Sequence, residues 1–210
     1  MLPMTLDLSR LRLVLIGAGP AASQRLERLD MAGAATLTVY APEASDALAT
    51  LAGPRLVPRL PRADEFAGIQ IAFIAGLAPA AAAAVARQAR AAGAIVHVED
   101  APDRSDAQMP AVLHRGDLTI AVSTGGRSPG LASEVKRALG HIIGPEWSAR
   151  LSEISVQRKR WRAAGLDSVV VRQWTAEWLV ACGWLAFEAD FESHYPGGAA
   201  NGLAGRVHQH

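Results

Sequence analysis

Cysteine is almost missing: one residue, Cys182, in 210. A lone thiol closes no internal disulfide and offers no thiolate set to a structural metal, so no metal site is expected and nothing asks for an oxidising compartment. Long apolar runs are missing too. Half of the residues are hydrophobic, yet no stretch approaches the roughly 20 residues that span a bilayer. The start of the chain has no basic segment leading into a long apolar one, and its first apolar run, residues 11–16, ends in a glycine turn instead of a cleavage site. A cytoplasmic protein without membrane attachment is expected. Nor is there an excess of one charge, because 21 Lys and Arg stand against 20 Asp and Glu, a net +1. Broad attraction to nucleic acid is therefore not indicated.

What is present is the patterning of an α/β protein, at a length that holds one full core and a smaller appended piece. Short apolar runs at residues 11–16, 35–40, 69–75 and 94–98, with a weaker one at 55–57, alternate with helix-length segments at 21–32 and 79–92. Gly33 and Gly93 stop those two segments. Strands alternating with helices predict a Rossmann-type doubly wound parallel sheet. The alanine run at 80–84 reads as a packed crossover helix. After residue 102 the pattern changes. Residues 109–113 and 118–122 flank the turn Arg115-Gly116-Asp117 as in a hairpin, a helix is expected from 131 to about 143, and the chain from Pro145 reads as helical with all five tryptophans. The Gly- and Ala-rich tail, 196–210, reads as a frayed end.

Three clusters carry chemistry. The first, Gly17-Ala18-Gly19-Pro20-Ala21-Ala22, follows a strand, opens a helix and matches the dinucleotide fingerprint G-x-G-x-x-G/A with Ala22 in the third position. The first glycine makes the turn, the second admits a pyrophosphate, and the small third residue lets helix and strand pack closely. The next strand leads into Pro42-Glu43, which puts an acid where the ribose diol of a bound nucleotide lies; such a carboxylate repels a 2′-phosphate and favours NAD over NADP. The second cluster is His97-Val98-Glu99-Asp100-Ala101-Pro102, at the carboxyl end of a strand where open α/β sheets bind ligands. Asp100 reads equally well as a catalytic acid and as a turn-former. The third is the loop Ser123-Thr124-Gly125-Gly126-Arg127-Ser128-Pro129, whose amides suit an anion but which lacks the Lys-Ser/Thr ending of an ATP-hydrolysing loop. Downstream, Arg150, Arg158, Lys159, Arg160, Arg162 and Arg172 outnumber Glu153 and Asp167. That run is either a solvated helix face or an anion-holding patch.

Taken in order, Gly17-Ala18-Gly19, Val39-Tyr40-Ala41-Pro42, Val98-Glu99-Asp100-Ala101-Pro102, Met109-Pro110, Arg115-Gly116 and Ser123-Thr124-Gly125-Gly126-Arg127-Ser128-Pro129 resemble the precorrin-2 dehydrogenase and sirohydrochlorin ferrochelatase family, the amino-terminal module of bacterial sirohaem synthase. The resemblance implies an NAD-binding domain (1–112), a dimerisation region (113–146) and a helical domain (147–195), assembled as an intertwined homodimer. It implies NAD-dependent oxidation of precorrin-2 to sirohydrochlorin, and in some members insertion of Fe²⁺ or Co²⁺. Asp100 matches the family's catalytic aspartate, and Gly17, Gly19, Pro20, Ala21, Pro42 and Glu43 match its nucleotide contacts. Carboxylates of a tetrapyrrole would meet Ser123, Gly125, Gly126, Arg127, Ser128 and Lys136, with Ser128 expected to shape the loop more than to touch substrate.

Three departures stand out. Gly76-Leu77-Ala78 and the alanines after it replace a polar stretch that frames the nucleotide in the family. His97 stands where an asparagine is usual, and Glu99 where a valine is; His97 reads either as a hydrogen-bonded strand-end residue or as a titrating group or metal ligand beside Asp100. The sequence contains no methyltransferase domain, so methylation of uroporphyrinogen is expected of another protein. The weakened nucleotide frame also leaves room for a second reading, an inactive nucleotide-sensing or tetrapyrrole-binding protein of the same fold.

Overall fold

Arg12–Gly17 (β1) is apolar after its first residue because both of its faces are covered. A computed structural model describes residues 2–184, so the expectations for 185–195 and for the tail at 196–210 fall outside the described residues. After β1 come α1 (Gly19–Met31), β2 (Thr36–Tyr40), α2 (Asp46–Ala52), β3 (Leu56–Val57), β4 (Ile71–Ala75), α3 (Pro79–Ala91) and β5 (Ile95–Val98). The sheet runs β3-β2-β1-β4-β5, parallel throughout, with Gly17 level with Ala75 and Ile74 level with Val98. This is the doubly wound Rossmann-type order. Strand side chains alternate between two cores. Leu13, Leu15 and Phe73 pack with Leu26 and Leu29 of α1, while Val14, Ile16, Ala72 and Ile74 pack with Ala82, Val85 and Ala89 of α3. The small residues of α3 let it lie close on the strands, as expected of a crossover helix.

Two connections were not anticipated. α2 spans seven residues and buries only Leu48 and Ala52, with the Ser45 hydroxyl accepting from Leu48 N–H at 3.3 Å as its cap. Two buried side chains leave no helical period to read. Between β3 and β4 a single 3-10 turn, Ala63–Phe66, replaces a crossover helix and is fixed by the fully buried Phe66.

β5 lies at one edge of the sheet, and the chain after it covers that edge. Val96 N–H donates to Asp106 Oδ2 at 3.0 Å and Val98 N–H to Ser105 Oγ at 2.9 Å, while Asp106 N–H donates back to Val96 O at 2.7 Å. Residues 105–107 thus stand in for a sixth strand.

The remaining elements are β6 (Ala111–Arg115), β7 (Leu118–Val122), α4 (Pro129–Ile142), α5 (Trp147–Ala163) and α6 (Ser168–Ala181). Internal contacts divide the described residues into two compact units, 2–111 with 122–134 and 112–121 with 135–184. The second glycine loop therefore belongs with the sheet, and most of the hairpin with the later helices. In the second unit, Arg115 donates to Ile143 O at 2.7 Å and to Gly140 O at 3.1 Å, which ties the hairpin to the end of α4. α5 and α6 pack through Trp161, whose ring meets Trp174 and Trp178 edge-on at 5.7 and 6.1 Å. Asp167 caps α6, accepting from Val169 and Val170 N–H at 2.8 and 2.9 Å.

Candidate functional site

The carboxyl ends of β1, β4 and β5 form one edge of the sheet, and the two glycine turns and Asp100 gather there. At Gly17 an added Cβ would overlap the Ala75 carbonyl oxygen; at Gly76 it would overlap that of Ala18. Glycine is required at both places because the two strand ends touch, with Ala18 N–H donating to Ala75 O at 3.2 Å. Gly19 differs. Its φ is +68° and nothing lies within 4 Å of where its Cβ would stand. No side chain caps α1, Pro20 fills its first turn, and Ala22 is fully buried against β1. Open space beside Gly19, at the start of a helix that no side chain caps, is the setting a pyrophosphate fits.

Pro42 and Glu43 follow β2 in an exposed turn. Beneath them Tyr40 is buried under the Arg59 guanidinium, 5.6 Å from its ring, and Glu65 grips Arg59 with both oxygens at 2.7 and 2.6 Å. Arg59 and the Arg62 backbone N–H hold the Glu65 carboxyl down at about 2, and burial with Glu65 nearby pushes the Tyr40 phenol up. This trio was not foreseen; Glu65 accepts from the Arg62 backbone N–H at 2.7 Å, three residues back, which is half of a capping box without the Ser or Thr that would have signalled it in the sequence.

Asp100 stands just past β5 with φ +55°, the one non-glycine residue with positive φ among those described. It is the third residue of a four-residue turn closed by Ala101 N–H to Val98 O at 3.3 Å, a position usually taken by glycine or asparagine. Glu99 N–H donates to Ile74 O at 2.8 Å, so the turn starts two strand spacings, about 10 Å, from Gly17. Asp100 makes the turn, and the turn stands at the carboxyl edge of the sheet. The second glycine loop lies alongside, since a Cβ on Gly126 would come within 2.8 Å of Gln108 Nε2 and 3.0 Å of Pro102 Cβ.

In that loop Ser123, Thr124, Gly125, Arg127, Ser128 and Leu131 line an open pocket of about 490 Å³. The Ser128 hydroxyl accepts from Leu131 N–H at 3.3 Å, capping α4, and Thr124 Oγ1 accepts from Ser128 N–H at 3.1 Å. Ser128 is thus committed to shaping the loop. Lys136 lies two turns further along α4 and does not line the pocket. Of the basic run, Arg150 lies over the rings of Trp147 and Trp184 at 5.1 and 5.4 Å, and Arg158 donates to Thr175 at 3.1 Å. These two are used inside their own helical unit.

The least foreseen feature lies under β5. Arg25, on the buried stripe of α1 with Ala22, Leu26 and Leu29, is 2% exposed. Its guanidinium lies over Phe73 at 5.8 Å and donates to Glu99 Oε2 through Nε at 3.0 Å and through Nη2. His97, 8% exposed, turns Nδ1 to Ala107 O at 3.0 Å and Nε2 to Arg25 Nη2 at 3.3 Å. A carbonyl only accepts, so Nδ1 carries a proton, while Nε2 lies between Arg25 Nη2 at 3.3 Å and Glu99 Oε2 at 3.6 Å. His97 is therefore a hydrogen-bonded strand-end residue, with both ring nitrogens taken. His97 and Arg25, opposed by burial, hold the Glu99 carboxyl down at about 2. Arg25 is buried and Glu99 half-buried, so removing the carboxylate alone would strand a buried guanidinium. A basic residue inside the apolar spacing 22, 26, 29 was the signal that could have revealed Arg25.

Among the described residues, no group of three or more His, Cys, Asp or Glu is placed to hold a metal ion, and no helix is long and apolar enough to cross a membrane.

Residues 4–111 match a family model described as putative NAD(P)-binding, and residues 115–141 match one described as sirohaem biosynthesis protein, central. The chain is 34% identical over 166 residues to a siroheme synthase of Methylococcus capsulatus, covering 78% of this chain and 35% of that protein. It is 32% identical over 204 residues to siroheme synthase 2 of Aeromonas salmonicida, covering 88% and 42%. The chain thus spans well under half the length of these curated relatives. In fold it is similar to SirC, precorrin-2 dehydrogenase, with a TM-score of 0.67 and 21% identity, over 84% of this chain and 88% of that one. With a model covering residues 4–111, the region that carries the glycine turn and Asp100, the chain belongs to the family described as putative NAD(P)-binding.

Proposed function

We propose that the chain is an NAD-dependent dehydrogenase that oxidises precorrin-2 to sirohydrochlorin. The observation that carries this reading is Asp100, held at φ +55° on the same sheet edge as the open glycine turn and beside the second glycine loop. The names of the relatives, siroheme synthase and precorrin-2 dehydrogenase, support it. NAD, when bound, supplies the hydride acceptor. Gly17, Gly19 and the first-turn amides from Ala21 onward receive its pyrophosphate, Pro42 and Glu43 border the ribose, and the Glu43 carboxylate disfavours a 2′-phosphate. Asp100 takes the proton that leaves the tetrapyrrole with the hydride. Ser123, Gly125, Gly126 and Arg127 receive substrate carboxylates, with Lys136 as a further cation. The working form is a homodimer, supported by the exposed Leu131, Val135 and Ile142 of α4.

The test is anaerobic incubation of purified protein with precorrin-2 and NAD, following NADH and the sirohydrochlorin spectrum together. Equal appearance of both is expected, with NADP giving markedly slower turnover. Asp100→Ala should bind NAD as the wild type does and lose oxidation; unchanged turnover would assign the proton to another group. A second reading, a nucleotide sensor or tetrapyrrole carrier, is favoured by the apolar Gly76-Leu77-Ala78 at the nucleotide edge; nucleotide binding without turnover would establish it. Insertion of Fe²⁺ or Co²⁺ into sirohydrochlorin is a separate activity, measured against the uncatalysed rate.

A further inference from the structure

We infer that Arg25 and Glu99 form a clamp that holds the turn at residues 98–101, and with it Asp100, in its left-handed conformation, anchoring that turn to the helix that begins at the nucleotide loop. The consequence for turnover rests on the function proposed above, whereas the conformational effect does not.

A non-glycine residue stays at positive φ only when its surroundings over-determine it. The turn's own closing bond, 3.3 Å from Ala101 N–H to Val98 O, is long. Glu99 and Asp100 are the two central residues of the turn, so fixing the Glu99 side chain fixes the residue that sets the path into Asp100. That side chain is held by Nε and Nη2 of Arg25, with His97 Nε2 3.6 Å from the same carboxylate oxygen. Arg25 cannot follow a moving turn, because it is buried, lies over Phe73, and meets a His97 ring that is itself tied to Ala107 O. Among the described residues its Nη1 has no hydrogen-bond partner. An orphaned buried N–H is a penalty that an apolar pair at 25 and 99 would avoid. The charged pair is thus a poor way to fill the space and a good way to fix a geometry. Arg25 and Glu99 are positioning residues that act through Asp100.

Glu99→Ala alone strands a buried guanidinium and is a risk to folding, so the informative variant is Arg25→Met with Glu99→Val. Backbone chemical shifts and the HN–Hα coupling of Asp100 in isotope-labelled protein report its φ. They are measured beside melting temperature, NAD affinity, and kcat and KM for precorrin-2. The double variant should melt within a few degrees of the wild type and bind NAD equally, yet move Asp100 to negative φ and lower kcat about tenfold or more with KM nearly unchanged. Glu99→Gln, which keeps an acceptor for Arg25, should retain the positive φ and most of kcat. Wild-type Asp100 signals in the double variant would overturn the clamp, and a moved Asp100 with full kcat would overturn its consequence for turnover. Should the wild type itself fail to oxidise precorrin-2, the proposed function falls while the Asp100 signals still decide the conformational claim.

Discussion

Gly17 and Gly19 belong to one fingerprint and meet different surroundings. A methyl at Gly17 collides with a main-chain carbonyl that cannot yield, while a methyl at Gly19 enters open space. Gly17→Ala should therefore lower stability by about 3 kcal/mol or more, and Gly19→Ala by about 1–2 kcal/mol from its positive φ alone. Both should lose NAD affinity, so thermal melts beside nucleotide titrations separate packing from binding. The acid limb of stability follows from two carboxyls. Glu99 and Glu65 each titrate at about 2 in the folded chain against an ordinary 4.5. A depressed carboxyl contributes stability that is complete above its unfolded value and disappears as pH falls through the folded one. Urea midpoints should accordingly drop between about pH 4.5 and 2, and Glu99→Gln and Glu65→Gln should each flatten that drop; a wild-type slope in both variants would contradict the assignment. At this scale the sequence was legible as to where the turns stand, since residues 17–22 and 97–102 are contiguous strings at strand ends. It was not legible at Arg25, whose partners Glu99 and His97 are more than 70 positions away.

Strands β1, β2, β4 and β5 and helices α1 and α3 could be read within two residues because each buries enough side chains to repeat a period. Helices α1 and α4 start two residues earlier than expected, at Gly19 and Pro129. In α4 the leading proline occupies a first-turn position that needs no amide donor. α2 and the 3-10 turn at Ala63–Phe66 were illegible because each is pinned by one or two buried side chains and not by a pattern. The start of α4 depends on Ser128, and Ser128→Ala should cost about 1 kcal/mol of stability through the lost cap. If Ser128 acts only as the cap, Ser128→Asp, another good cap, should restore the melting temperature and leave substrate affinity at the wild-type level; a raised KM for precorrin-2 in a stable Ser128→Asp would show that the hydroxyl or its neutrality is also read by substrate.

For the whole molecule, α4 carries Leu131 at 55% exposure, Val135 at 39% and Ile142 at 72%, more apolar surface than one helix of a lone soluble chain usually leaves in water. Sedimentation should give a dimer, and Val135→Asp should shift it toward monomer without lowering the melting temperature of the monomer's own core; a wild-type monomer at micromolar concentration would refute the assembly. The sheet itself takes no part in such association. On one side β5 has spent its outward amides on Asp106 and Ser105, and on the other β3 is two residues long. Neither border offers another chain a row of open donors and acceptors to copy. The five-stranded sheet is thus finished, protected from templated growth into fibres at either border.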